Sequence, residues 1–279
     1  MQVCSKYPGS IGELIQGKLD HIDVLVSCPI NLYTTVRLFE TNKPFERYKY
    51  EKSSMFFKNM LNRWGCSTYL NTLDFQIHSD IPNGKGFASS TADLCALYSC
   101  LTTIFRKNYD EWELAEECTK VEPTDSIVFK KMTMFDYKNG TYIKTLGEYI
   151  KFYSLCFVGE KNIDTVEFNK KALYPQKHIE DLIVLLEKGV SSSNYKYIFE
   201  ASSQSIIRNQ HRLKYDILPE VIRIREKTGG LGIIGAHSGN ILGIVYDEKI
   251  RLSKAYKQLA NHPLLKNHSA YALESITAW

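Results

Sequence analysis

The stretch Pro82-Asn83-Gly84-Lys85-Gly86-Phe87-Ala88-Ser89-Ser90-Thr91-Ala92-Asp93 carries the residue types that hold phosphate. Before it, Leu73 to His78 alternates in polarity as a half-buried strand does. After it, Leu94, Leu97, Tyr98, Leu101 and Ile104 recur at helical spacing. A strand therefore feeds a glycine-rich turn that opens onto a helix. Glycine has no Cβ to keep an anion off the backbone N–H groups. The first N–H groups of a helix lack intrahelical partners and lie at the positive end of its dipole. Phosphate binding follows from that geometry. The hydroxyls of Ser89, Ser90 and Thr91 are available to phosphate oxygens or to a metal. A P-loop requires G-x-x-x-x-G-K-[ST]. Ser79 stands at its first glycine position and Gly86 follows Lys85, so that reading fails. A ligand-free turn with serine N-caps remains the structural alternative.

The elements that must position this loop mix strands and helices in both halves, which indicates an α+β fold. Val24 to Val26, Leu32 to Phe39 and Lys151 to Val158 read as strands. Met55 to Trp64, Tyr109 to Lys120, Ile179 to Lys188, Tyr195 to Arg208 and Leu218 to Glu226 read as helices, the last stopped by Gly229-Gly230. Two strands, Gly232 to Gly235 and Ile241 to Tyr246, flank a polar turn, and a final amphipathic helix starts near Leu252. A domain boundary is expected near residue 150, separating residues 1–150 from residues 151–279.

The 279 residues and 44% hydrophobic content allow a sizeable core. The net charge of +4 is scattered, whereas a nucleic-acid binder concentrates its basic residues. Seven cysteines, an odd number without C-x-x-C spacing, read as reduced thiols. The first ten residues lack an apolar leader segment. No run approaches 18 apolar residues. A cytoplasmic setting with no nucleic-acid or membrane partner is the expectation.

The loop resembles the GHMP kinase phosphate motif P-x-x-x-G-[LM]-x-S-S-[AT] at Pro82, Gly86, Ser89, Ser90 and Thr91, with Phe87 in the apolar position. Other segments resemble the L-threonine kinase branch of that superfamily, whose members serve cobalamin synthesis. Pro8-Gly9-Ser10-Ile11-Gly12-Glu13-Leu14-Ile15-Gln16-Gly17 is similar to its P-x-x-x-G-E-L-[IV]-Q-G, and Ser27-Cys28-Pro29 to its S-C-P. Glu122-Pro123-Thr124-Asp125-Ser126 is similar to E-P-T-D-S, and Asp164 to Asn169 to D-T-V-x-F-N. Ala201 to Ser205 with Asn209-Gln210 is similar to A-x-x-S-A…N-Q. Gly235-Ala236-His237-Ser238-Gly239-Asn240 resembles the glycine-rich third motif, with Asn240 in place of the usual Thr. Thr41 to Asn71 matches no motif.

The resemblance implies a two-domain GHMP fold, with a ribosomal-protein-like N-terminal domain and a ferredoxin-like C-terminal domain. It implies transfer of the ATP γ-phosphoryl group to a small hydroxylated amino acid such as L-threonine, with Mg²⁺, in a monomer or homodimer. ATP would lie on Pro82, Asn83, Gly84, Lys85, Gly86, Phe87, Ala88, Ser89, Ser90, Thr91 and Ala92, with Lys85 adding positive charge. Ser90 and Glu122 would hold Mg²⁺, with Glu117 as second choice. Asp125 would act as base or position the acceptor. Ser10, Glu13, Asn31, His237 and Ser238 are the acceptor candidates, and Arg37 and Arg208 are candidates by charge for its carboxylate. Gly235 and Gly239 are expected to allow close packing beside the phosphate loop. Another small alcohol, or nucleotide binding without turnover, are the alternatives.

Overall fold

A computed structural model describes residues 1–160 and 174–279. The motif at Asp164 to Asn169, including Asp164 and Thr165, lies outside the described residues. The described strands form one nine-stranded sheet in the order β5-β4-β2-β1-β7-β8-β6-β9, with β3 paired to β2. The strands are β1 (Gln2–Leu19), β2 (Ile22–Glu40), β3 (Leu73–Ser79), β4 (Met132–Asp136), β5 (Ile143–Gly147), β6 (Tyr153–Gly159), β7 (Gly232–Gly235), β8 (Ile241–Tyr246) and β9 (His268–Glu274). Their pairings are antiparallel. Packed helices and an antiparallel sheet make the fold α+β. The proposed division at residue 150 falls in the connection between β5 and β6.

Helices α1 (Glu51–Arg63), α2 (Ser89–Phe105) and α3 (Glu111–Val121) pack together, and α2 also lies on β1 and β2. The later helices are α4 (Glu180–Ser191), α5 (Tyr195–Asn209), α6 (Leu218–Thr228) and α7 (Lys249–Gln258). Of these, α5 packs on β1 and β7, while α6 and α7 pack on β8. The fully buried α2 residues Leu94, Leu97, Tyr98 and Leu101 explain its apolar spacing. No helix among the described residues is long and apolar enough to cross a membrane. All seven cysteines are free, and five of them are buried.

The helix expected from Met55 begins earlier, at Glu51, because its start is anchored from outside. Asp74 on β3 accepts backbone N–H groups from Phe45 (2.7 Å), Glu46 (2.8 Å) and Arg47 (2.9 Å). Burial pushes this carboxyl up, but these donors and the Phe75 N–H outweigh it, and its pKa lies below the usual range. The segment that matches no motif is thus fixed to the sheet immediately before α1.

β1 is interrupted by register shifts between Pro8 and Ser10, Ser10 and Glu13, and Glu13 and Ile15. Residues at odd separation face opposite sides of a regular strand; bulges re-aim them. Gly12 has φ +74°, and a Cβ there would stand 2.4 Å from the carbonyl carbon of Gly235. Among the described residues, β1 joins β7 through the pair Glu13 and Gly235. Gly12→Ala is expected to cost more than about 2 kcal/mol, because both the dihedral and a backbone contact oppose it. Urea unfolding checks this, and a wild-type midpoint would show that the junction yields freely.

Candidate active site

The cleft, of about 400 Å³, is lined by the 83–91 loop, the acidic segment 122–125, part of β1, Lys52 from α1 and Ser238. The loop enters α2 through Ala88, which has φ +55° and caps the helix without a side-chain hydrogen bond. The serines are therefore in the first turn rather than at the cap, which overturns the serine-capped alternative. This leaves the first N–H groups of α2 to serve an anion. Ser89 Oγ donates to Asn83 Oδ1 at 3.3 Å. Thr91 Oγ1 accepts the Asp125 N–H at 3.2 Å, tying α2 to the acidic segment.

The loop is held from two sides. Ser10 N–H donates to Phe87 O at 2.9 Å, and Asn240 N–H donates to Lys85 O at 2.9 Å. Gly86 has φ +94°, and a Cβ at Gly239 would stand 2.6 Å from the Gly86 Cα. The third motif therefore packs its backbone directly on the phosphate loop. Tyr215, in the connection between α5 and α6, steadies this turn: its hydroxyl lies 2.7, 3.1 and 3.0 Å from the carbonyls of Ala236, Gly239 and Ile241.

Ser10 Oγ donates to Asp125 Oδ2 at 3.1 Å, and the Ile127 N–H donates to Asp125 Oδ1 at 3.1 Å. Burial pushes the Asp125 carboxyl up to about 7, and the charge of Glu13 adds to the rise; the Ile127 and Ser10 donors oppose it. Glu13 Oε2 accepts the His237 backbone N–H at 2.8 Å and meets His237 Nδ1 at 2.9 Å. The other ring nitrogen lies 2.8 Å from Ser205 Oγ on α5. His237 is fully buried and does not line the cleft. It therefore holds Glu13 in place rather than meeting the acceptor itself, a correction to the expectation that it contacts substrate.

Glu122 pairs through Oε2 with Lys52, while its Oε1 is buried with no hydrogen-bond partner. A carboxylate with an orphaned oxygen, in the cleft that Ser90 also lines, suits Mg²⁺, which takes few carboxylates and keeps water and phosphate oxygens as further ligands. Asp93 lies close behind. Burial raises its carboxyl to about 6; the charge of Glu122 adds to this, against the Thr34 hydroxyl bond at 2.6 Å.

Several expected residues lie elsewhere. The Lys85 ammonium donates to the carbonyls of Gly159 (2.9 Å) and Glu160, tying the loop to the end of β6, and it does not line the cleft. Pro82 and Ala92 shape the loop without lining the cleft. Asn31 accepts the Glu274 N–H at 3.0 Å and lines a different cavity beside β9. Arg37 is exposed and bonds Gln2 at 2.8 Å, and Arg208 pairs with Asp181. Glu117 is taken by Arg63 (2.8 Å) and Lys120 (2.7 Å). Residue type alone selects these side chains in the sequence, and their strand and helix faces direct them away.

Three further polar residues line the cleft without a sequence signal for it, beside the apolar Leu25. Lys52 comes from the unmatched segment. Gln16 lies within the first motif but is a neutral side chain with no chemistry of its own to mark it. Tyr137 stands outside every motif; its hydroxyl accepts from Gln16 Nε2 (3.2 Å) and Gln176 Nε2 (2.6 Å).

Residues 52–129 match the family model described as the GHMP kinases N terminal domain. The chain is similar to an L-threonine kinase of Salmonella typhimurium, 28% identical over 267 residues that cover 91% of this chain and 88% of that one. An L-threonine kinase of Citrobacter freundii is 27% identical over 251 residues, covering 86% and 85%. The crystal structure of homoserine kinase from Cytophaga hutchinsonii superposes with a TM-score of 0.75 at 11% identity, covering 99% of this chain and 95% of that one. At that identity the superposition speaks to the fold alone.

The raised Asp125 carboxyl sets a pH signature. Its folded pKa of about 7 lies above the unfolded value near 3.8. The neutral form therefore supports the fold fully below about pH 4, and that support is lost as pH rises through about 7. Asp125→Asn is expected to be more stable than the wild type at pH 8, by on the order of 2–4 kcal/mol, and equal to it near pH 4. Chemical unfolding at the two pH values checks this; equal stabilities at pH 8 would contradict the assignment.

Proposed function

We propose that this member of the GHMP kinase superfamily, an ATP-dependent kinase, phosphorylates the side-chain hydroxyl of free L-threonine. The observation that carries the reading is the pair of carboxylates, Glu13 and Asp125, that line one cleft with the glycine-rich loop, where burial and then the charge of Glu13 raise Asp125 by repulsion. A ligand bearing an ammonium relieves that repulsion, and a hydroxyl beside it meets Asp125. Mevalonate brings a carboxylate and no ammonium, so it would add to the negative charge. The similarity to L-threonine kinases supports the choice among hydroxylated amino acids.

In this reading the α2 N-terminus and the Gly84–Ser90 backbone hold the ATP phosphates. Glu13 takes the threonine ammonium, while Gln16, Tyr137 and Ser238 offer neutral hydrogen-bond groups to the rest of the substrate. Ser10 fixes the Asp125 carboxylate. The threonine oxygen attacks the γ-phosphorus, the bond from phosphorus to the bridging oxygen breaks, and ADP leaves. The hydroxyl proton passes to Asp125 late in transfer, because an aliphatic alcohol is a very weak acid. A carboxylate that titrates near 7 is a stronger base than an ordinary Asp, which suits that task. Bound at Glu122 and Ser90, Mg²⁺ would neutralise phosphate charge. Residues 1–150 supply the loop, Glu122 and Asp125, and residues 151–279 supply the Ser238 turn. The threonine phosphate would enter cobalamin synthesis, as in the branch it resembles, and the setting would be cytoplasmic.

ADP release is expected with MgATP and L-threonine, less with L-serine and L-homoserine, and none with mevalonate. Its kcat/KM should rise with pH and level off above about 7. Asp125→Asn should lower kcat by about a hundredfold or more. Release with mevalonate but not threonine would overturn the proposal.

A further inference from the structure

The cleft has an unusual charge balance for one proposed to take a polyanion. Three acids line it, Glu13, Glu122 and Asp125, and Lys52 is the one basic side chain among the described lining residues. Lys52 sits in the first turn of α1, whose start is anchored to β3 through Asp74. Its ammonium reaches one oxygen of Glu122. The Lys52 side chain is 47% exposed and that of Glu122 only 6%. A half-exposed cation thus pairs with one oxygen of a buried carboxylate whose second oxygen has no partner. A buried anion satisfied at one oxygen only is a poor end state. A divalent cation satisfies it better, and the ammonium then becomes available within the same cleft, where ATP brings phosphate charge.

We infer that Lys52 is a two-position residue: it occupies Glu122 before metal and nucleotide bind, and it turns to the terminal phosphate once Glu122 is engaged by the metal. The inference rests on the reading that this cleft takes MgATP. The ion pair does two things. It orients Glu122 in the cleft, and it opposes binding of a bare divalent cation, so that metal enters with its nucleotide. Lys52 competes with free metal for Glu122 but adds attraction for the metal–nucleotide complex. Removing its charge must therefore move the two affinities in opposite directions, which a purely structural ion pair would not do.

The test uses the full chain and Mn²⁺ as the probe, with binding followed by electron paramagnetic resonance in the absence of nucleotide. Lys52→Met should bind Mn²⁺ about tenfold tighter than the wild type, while its affinity for MgATP, measured calorimetrically, falls by about tenfold or more. Lys52→Arg should keep weak bare Mn²⁺ binding and retain part of the MgATP affinity. Lys52→Met combined with Glu122→Gln should lose the Mn²⁺ gain. Unchanged Mn²⁺ affinity in a Lys52→Met protein with a wild-type melting profile would overturn the inference. If Lys52→Met fails to fold, Lys52→Arg decides alone: tighter bare Mn²⁺ binding in it would overturn the inference as well. Failure of the wild type to bind MgATP at all would instead remove the reading on which the inference rests. None of these measurements needs threonine, so they stand apart from the identity of the acceptor.

Discussion

Repulsion between two carboxylates organises this site. Glu13 and Asp125 are close enough for one to raise the pKa of the other, in a cleft where burial already penalises charge. Such a pair is costly to the fold unless each acid is separately held. Glu13 is held by the backbone and ring of His237, which is braced in turn by Ser205. Asp125 is held by Ser10, Ile127 and, through its backbone, Thr91. The supports come from β1, α2, α5 and the turn before β8, so the cost at the site is met by contacts that also tie the molecule together.

The same contacts explain why several separated motifs must meet. The bulged β1 aims Glu13 into the cleft and Ser10 at the Asp125 carboxylate that lines it, although a regular strand would send them to opposite faces. Gly12 lets β1 approach β7, and Gly239 lets the third motif lie on Gly86. These motif glycines serve backbone packing rather than phosphate. The loop that would receive ATP is thereby fixed relative to Asp125 before any ligand enters, which is the preorganisation that phosphoryl transfer needs.

The glycine-rich loop between β3 and α2 was legible in the sequence because its signal is local: fixed spacing, a strand before it and a helix after it. The helices from α2 to α6 were legible through their apolar periodicity. Glu13, Ser90, Glu122, Asp125 and Ser238 do reach one cleft, while the buried Ser10 and His237 stand behind it and hold Asp125 and Glu13 rather than lining it. The strand β9 was not read, because its exposure alternates weakly along the sheet edge. Lys52 was invisible because nothing in its segment announces that Asp74, some twenty residues onward, anchors it. Asn31, Arg37 and Arg208 had the right chemistry but the wrong face, and Lys85 had the right loop but turns towards β6. Side-chain direction depends on register and bulges, which a lone sequence does not carry.

The most direct measurement of this account is a titration of the Asp125 carboxyl by carbon-13 nuclear magnetic resonance, with and without L-threonine. The account predicts a pKa near 7 in the free protein. It predicts a fall on threonine binding, as the ammonium offsets Glu13. A carboxyl that titrates near 4 in the free protein, or one that threonine leaves unmoved, would contradict it.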